Sequence, residues 1–280
     1  MLKLGKRFPQ KRVFITGAGS GLGRCFALEF ASDGWRVGVS DINAPRMAES
    51  AAKVNAAGGR ALEIACDVTK PKELEKAVNL LRKEWGGVDV VINNAGVAAG
   101  GYMEKIPVEE WDWIIDINLK SVVYGCRAFI PLLKEQKSGY IINVASNAGI
   151  ASLAEMSSYN VTKAAVISLS ETLRVEMSPH GVGVTVVCPT FFKTNLMDQF
   201  KSPDERQRKL AESMFAKANT SAEKIARHAV KRAGKGKLYV LTQSDAKLTW
   251  RSKRLMPETY FRFLAWAYRK GLFEKYTGVK

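Results

Sequence analysis

The stretch "RVFITGAGSGLGRCFALEF", residues 12–30, decides the fold of this chain. Arg12–Thr16 is a short run of β-branched and apolar residues, the pattern of a buried strand. It breaks into "TGAGSGLG", with glycines at 17, 21 and 23, and a helical pattern follows that Gly34 closes. A glycine pattern by itself is weak, and an ordinary flexible loop is the plain alternative. Between a strand and a helix it has the context it needs: glycines let the backbone turn tightly and approach a pyrophosphate. The phosphates then sit at the positive end of the helix, with Gly17, Ser20, Gly21, Leu22 and Gly23 along them.

Outward from this unit, β-rich runs alternate with helical patterns, the signature of a parallel sheet with crossover helices. Further strands are expected at 36–41, 60–68, 88–96, 139–146, 181–189 and 237–242. Helices are expected in the Ala-rich segment ending near Ala57, between the third and fourth strands, over 108–135 and from about Ser158. No repeat, low-complexity tract or linker divides the chain. The expectation is one doubly wound α/β domain over residues 1–242, followed by an extension over 243–280.

With 46% hydrophobic residues and a mean hydropathy of -0.12, the 280 residues can bury a substantial core. Cys25, Cys66, Cys126 and Cys188 lie far apart with no C-x-x-C pair, which fits a reduced cytoplasmic protein better than a disulfide scaffold or a zinc site. His180 and His228 are the only histidines, so a His-rich metal site or a Ser-His-Asp hydrolase is hard to build, and no metal is expected. The N-terminal segment has no apolar stretch of signal-peptide length, and no run approaches the ~20 apolar residues of a membrane span. The net charge of +16 is uneven. Residues 201–280 hold 20 Lys and Arg against 7 Asp and Glu, a net of +13, which leaves +3 for the first 200. That asymmetry points the C-terminal portion toward something anionic.

Asp41 ends the second strand, 18 residues after Gly23. A carboxylate there accepts hydrogen bonds from adenosine ribose hydroxyls and repels a 2′-phosphate. Loop position 20 is Ser, with no basic residue to attract such a phosphate. Both points favour NAD(H) over NADP(H). The rival reading makes Asp41 a cap for the helix starting near Ala44. Asp67 and Val68, ending the third strand, are placed to meet the adenine, or Asp67 is only a turn residue.

Taken in order, "TGAGSGLG", "NNAG" at 93–96, Ser146 and "YNVTK" at 159–163 make the chain resemble the short-chain dehydrogenase/reductases over roughly residues 10–242. The resemblance implies a single Rossmann-like domain with a seven-stranded parallel sheet, and an oxidoreductase that interconverts an alcohol and a carbonyl with a nicotinamide cofactor. The chemistry follows from the residues as well. Hydride transfer to a carbonyl needs a proton donor at the developing alkoxide, and a phenol of pKa roughly 10 becomes a usable base when a cation lowers that value. Tyr159 and Lys163 are i and i+4 on a helix and can face one site, with Lys163 lowering the phenol pKa. Ser146, 13 residues before Tyr159, can offer its hydroxyl to the substrate oxygen. Alone, each has a plainer reading: a half-buried aromatic, a solvated lysine, a turn serine.

The resemblance further implies that Lys163 and Tyr159 meet the nicotinamide ribose. It also implies that Asn118, in "DINLKSVVYG", holds a water in a proton relay. "NNAG" is expected to stabilise the central sheet and let Asn94, Ala95 and Gly96 pass close to the cofactor. After the sixth strand, "CPTFFKT" carries Thr190 where the family usually has glycine, so only Pro189 and Thr194 are carried over as nicotinamide contacts. A homodimer or homotetramer through the helices of Asn118 and Tyr159 is also implied.

The segment at about 190–218 is expected to close over the substrate. Phe191, Phe192, Leu196, Met197, Phe200 and Met214 either line an apolar pocket for a steroid-, retinoid- or fatty-aldehyde-like substrate or are plain helix packing. In the extension, "KLTWRSKRLMPETYFRFLAWAYRKGLFEKY" interleaves cations with aromatics, and Pro257 fits the first turn of a helix. Packing on the body or a partner subunit, contact with an anionic membrane and nucleic-acid binding compete, the last without a recognisable module. A dinucleotide-binding sensor or scaffold with a basic tail is the alternative to an enzyme.

Overall fold

The computed structural model of the chain describes residues 2–279. In chain order the elements are α1 (Lys3–Arg7), β1 (Arg12–Thr16), α2 (Gly21–Ala31), β2 (Arg36–Asp41), α3 (Ala44–Ala56), β3 (Arg60–Ala65), α4 (Pro71–Trp85) and β4 (Val90–Asn93). Then come α5 (Val108–Ile115), a π-helical turn (Asp116–Lys120), α6 (Ser121–Glu135), β5 (Gly139–Val144), α7 (Ala148–Ala151), α8 (Ser157–Glu176) and β6 (Val182–Cys188). The C-terminal part holds α9 (Glu205–Ala216), α10 (Ala222–Ala233), β7 (Tyr239–Leu241), α11 (Ser244–Leu255), α12 (Pro257–Arg269) and α13 (Leu272–Thr277).

The seven strands form one parallel sheet in the order β3-β2-β1-β4-β5-β6-β7. Its central strands β1, β4, β5 and β6 are buried along their whole length, as a sheet covered by helices on both faces requires. β1 shows how the sequence divides the core. Val13 and Ile15 join Phe26, Phe30 and Trp35 on one face, while Phe14 joins Phe129, Leu133 and Val166 on the other. The alternation of successive side chains across a strand produces this division. The order reverses between β1 and β4, so the chain leaves the carboxyl ends of these two strands in opposite directions and opens a crevice there.

Several expected strands are shorter than the residues suggested. β3 stops at Ala65, and β4 at Asn93, because the residues beyond leave the sheet to line the crevice. Asn43, and not Asp41, caps α3, accepting a hydrogen bond from the Arg46 N–H at 3.0 Å. The four cysteines are free thiols, and burial pushes Cys126 and Cys188 up to about 12, which disfavours their thiolate forms. Among the described residues no helix is long and apolar enough to cross a membrane.

Candidate functional site

At the crevice the glycine turn and the end of β4 are stitched together. The Thr16 hydroxyl accepts from the N–H groups of Asn94 (3.0 Å) and Ala95 (3.1 Å). The Asn94 amide in turn donates to the carbonyls of Thr16 and Gly17, at 3.0 and 3.2 Å. A Cβ on Gly23 would lie 2.1 Å from the Gly17 carbonyl oxygen, so only glycine lets α2 start this close to β1. Asn93 is buried and donates to Asn143 Oδ1 on the neighbouring strand at 2.8 Å. The "NNAG" segment thus has the sheet-holding place its residues suggested. At the far side of the turn, Thr194 approaches Gly21.

Asp41 faces the turn from the end of β2. Its Oδ2 accepts from the Gly19 N–H and its Oδ1 from the Asn43 N–H, each at 2.9 Å. Asp67 is spent more fully: Oδ1 accepts from the Thr69 N–H (3.0 Å) and hydroxyl (2.7 Å), and Lys70 lies 3.3 Å from Oδ2. Burial raises its pKa, yet the Thr69 and Lys70 bonds outweigh that and hold it below the ordinary carboxylate value. The turn-residue reading of Asp67 is therefore realised, although it and Val68 also line the crevice. Arg46 is a lining residue that sequence reading missed. It sits beside Asp41 and pairs with Asp198 across 152 residues, at 3.1 Å. No local pattern marks such a pair.

Ser146 follows β5, and Tyr159 and Lys163 lie in the first two turns of α8, so both elements point these side chains into the same cavity. Tyr159 and Lys163 are 8% and 4% exposed, and the Lys163 ammonium lies 5.7 Å from the Tyr159 ring centroid. Lys163 also donates to the Val144 carbonyl at 3.3 Å. The direction of the phenol shift corrects the sequence reading. Desolvation pushes Tyr159 up to about 12, against a lowering hydrogen bond with Ser146, and the same burial pushes Lys163 down to about 8. The low-dielectric site disfavours charge on either group.

Asn118 is fully buried in the π-helical turn. Its amide grips the Val97 backbone at both ends, Oδ1 accepting from the N–H at 2.8 Å and Nδ2 donating to the carbonyl at 2.9 Å. π-turns inside helices are frequent at functional sites. The Pro189 carbonyl accepts from Asn147 at 2.8 Å and from the Ser146 hydroxyl at 3.4 Å. Where glycine was expected, Thr190 donates its N–H to Gln243 Oε1 at 3.0 Å, so the start of the extension holds this loop.

Gly17, Ser20, Gly21, Leu22, Asp41, Asp67, Asn94, Ala95, Gly96, Ser146, Tyr159, Lys163, Pro189 and Thr194 open onto one cavity of about 1020 Å³, whereas Gly23 and Asn118 stand behind its wall. Phe191, Phe192, Leu196, Phe200 and Met214 line it, whereas Met197 packs beside the small cluster around Val97, Ile114 and Tyr159. The extension supplies a wall: Leu248, Met256, Tyr260, Leu264, Tyr268 and Phe273 all reach the cavity. Of the readings open for the extension, packing on the body is realised on this inner face. At the cavity rim Met256 and Phe263 are 56% and 57% exposed, and Trp266, which does not line the cavity, is 46% exposed.

Comparison with known proteins gives this arrangement a context. A family model described as short chain dehydrogenase matches residues 11–205. The probable oxidoreductase EphD of Mycobacterium tuberculosis is 34% identical over 260 residues, 90% of this chain but 44% of the relative. The chain thus spans less than half the length of that relative. The CLA biosynthesis dehydrogenase/reductase of Lactiplantibacillus plantarum is 34% identical over 194 residues, 68% of each chain. A short chain dehydrogenase/reductase from Burkholderia phymatum, solved in complex with NAD, superposes with a TM-score of 0.83 at 28% identity, covering 88% of this chain and 94% of that one. Levodione reductase superposes with a TM-score of 0.76 at 26% identity, covering 86% and 98%.

Proposed function

Because this chain belongs to the short-chain dehydrogenase/reductase family of oxidoreductases, we propose that it interconverts an apolar alcohol and its ketone or aldehyde by hydride transfer with NAD(H). The observation that supports this best is the convergence of Tyr159, Ser146 and Lys163 on a cavity with two unlike ends. One end carries the glycine turn and Asp41, and the other Phe200, Met214, Tyr260 and Phe263.

The close-packed turn, the start of α2 and the Asp41 carboxylate fit a dinucleotide. Gly17, Ser20, Gly21, Leu22 and Gly23 would hold the phosphates, and Asp41 the adenosine ribose. Asp67 and Val68 would flank the adenine. Asn94, Ala95 and Gly96 would run beside the middle of the cofactor, with Pro189 and Thr194 near its carboxamide and Tyr159 and Lys163 at the second ribose. Asp41 is the reason to favour NAD(H), since a 2′-phosphate would meet its charge. Bound there, the nicotinamide supplies or accepts the hydride.

In reduction, Tyr159 gives its phenolic proton to the substrate oxygen, and the Ser146 hydroxyl donates a second hydrogen bond to it. A phenol pushed up to about 12 is protonated at neutral pH and ready to donate. Lys163, pushed down to about 8, is still mostly protonated at pH 7 and stabilises the phenolate left behind. Oxidation runs the same transfers in reverse. Asn118 fixes the backbone at Val97, from where, as the family resemblance implies, it would hold a water through which Lys163 exchanges its proton.

Two surfaces belong to the same reading. Val123 on α6 and Val161 and Val175 on α8 are large exposed apolar residues, which supports pairing of these helices in a homodimer or homotetramer. Met256 and Phe263 stand exposed at the cavity rim with Trp266 beside them, and residues 243–280 carry 9 Lys and Arg against 3 Asp and Glu. Such a face suits peripheral contact with an anionic membrane, from which an apolar substrate could enter. A panel of alcohols and carbonyls followed at the nicotinamide absorbance tests the function. Turnover is expected to rise with the apolar length of the substrate, and nucleotide binding without turnover of any of them would favour the sensor reading instead.

A further inference from the structure

The loop between Ser146 and Tyr159 is held by residues that the mechanism does not use. Within it, Ser152 and Glu155 adopt left-handed backbone angles, φ +55° and +60°, without being glycine. Such conformations persist only where the surroundings over-determine them. Here the surroundings are the cavity wall. From α11, Lys253 donates to the Ile150 carbonyl (2.7 Å) and the Ser152 hydroxyl (3.1 Å). From α12, Tyr260 donates to the Ala151 carbonyl (3.0 Å) and Tyr268 to Glu155 Oε1 (2.7 Å). From α9, Arg206 donates to both Glu155 oxygens (2.7 and 2.8 Å) and Gln207 to Oε2 (3.0 Å). The Glu155 side chain is 6% exposed, and its carbonyl accepts from the Gly101 N–H at 2.7 Å.

One buried carboxylate therefore ties together the loop joining the two candidate catalytic hydroxyls and two walls of the substrate end, α9 and α12. We propose that Glu155 is a positioning residue: closure of the C-terminal extension over the cavity, transmitted through Glu155, sets the Ser146–Tyr159 loop in its working geometry. This rests on the oxidoreductase reading for its effect on turnover, but the coupling itself does not. When Tyr268 and Arg206 are docked, Glu155 is held at its left-handed angle and α8 starts two residues later with Tyr159 aimed into the cavity. When they are released, the loop is free to relax, and Ser146 and Tyr159 lose their register. The glycine turn and Asp41 have no part in the clasp, so nucleotide binding is independent of it.

The test compares the full-length protein with Tyr268→Phe and Glu155→Gln. Each variant is assayed for kcat, for NADH affinity by fluorescence, and for hydrogen exchange over residues 147–156. Tyr268→Phe removes one charge-assisted hydrogen bond, so kcat is expected to fall about 10-fold, the lower end for such a bond, with NADH affinity within about twofold. Exchange in 147–156 should speed up by a similar factor. Glu155→Gln keeps an acceptor for Tyr268 but loses the charge facing Arg206, and is expected to fall further. The drop should be equal for short and long carbonyl substrates, because the catalytic register and not the pocket wall is lost. Unchanged exchange in 147–156 in both variants would overturn the coupling. So would an unchanged kcat accompanied only by a lower melting temperature, the mark of a merely structural clasp. If the unaltered protein turns over no substrate, the function reading fails, and the exchange measurement alone still decides the coupling.

Discussion

Asp41→Asn should move the cofactor preference without dismantling the site. The carboxylate sits at the end of β2 with both oxygens accepting backbone N–H bonds at 2.9 Å, from Gly19 and Asn43. Asparagine keeps one acceptor, so the variant gives up one of these two bonds, about 1 kcal/mol, and the turn should stay folded. The larger effect is on charge. Two unit charges about 5–6 Å apart at an effective dielectric of about 20 repel by about 3 kcal/mol, and partial exposure of this edge reduces that to about 1.5–2 kcal/mol. The ratio of kcat/KM for NADPH over NADH should therefore rise about 10- to 30-fold. Arg46 beside it, once freed from Asp198 by a competing phosphate, acts in the same direction. Steady-state kinetics with each cofactor against one carbonyl substrate reads the ratio. Raising salt from 0.1 to 1 M shrinks the screening length from about 10 to about 3 Å and should narrow the unaltered protein's discrimination. A ratio that stays put, or shifts toward NADH, would refute the role given to Asp41.

Ser146→Ala should cut kcat by about 100-fold with little change in melting temperature, since beside its bond with Tyr159 the hydroxyl makes a long 3.4 Å bond to Pro189 and accepts from the Ala148 N–H. Burial raises the Glu155 pKa, but bonds from Tyr268, Arg206 and Gln207 outweigh it and hold the group below the ordinary carboxylate value. Its stabilising contribution is thus complete above about pH 4.3, and is lost as pH falls through the depressed folded value. The melting-temperature gap between the unaltered protein and Glu155→Gln should therefore close in acid, and a gap that widens would contradict the clasp. Replacing Phe263 and Trp266 together by serine should lower flotation with anionic vesicles by roughly 100-fold, from about 3 kcal/mol of lost apolar contact. Equal flotation by both proteins would count against membrane contact.

What could be read from the residues was whatever local pattern dictates. The strand–turn–helix at 12–30, the β-branched runs and the Pro257 helix start all carry their own signals, and the sheet and α12 stand where those signals put them. Boundaries failed where a motif both ends a strand and lines the crevice, as at Cys66–Val68 and Asn94–Gly96, because apolar composition continues past the last ladder bond. The Tyr159 shift was misjudged for a different reason. Spacing places a cation near a phenol, but only the fold shows that both are buried so deeply that desolvation wins. The Glu155 clasp was invisible altogether, since its partners lie 51, 52 and 113 residues away. Nor did composition alone show that α11 and α12 would present one face to the cavity and leave aromatics on the other.

The central claim is that Tyr159 is the proton donor and acceptor of a hydride-transfer site. Tyr159→Phe, assayed for turnover and for NADH binding on the same preparation, tests it most directly. The phenyl ring fills the same buried space and lacks only the hydroxyl, so folding and NADH affinity should be nearly unchanged. Turnover is predicted to fall by about 1,000-fold, within the range for loss of a general acid. Turnover within a few-fold of the unaltered protein, with NADH still bound, would contradict the account.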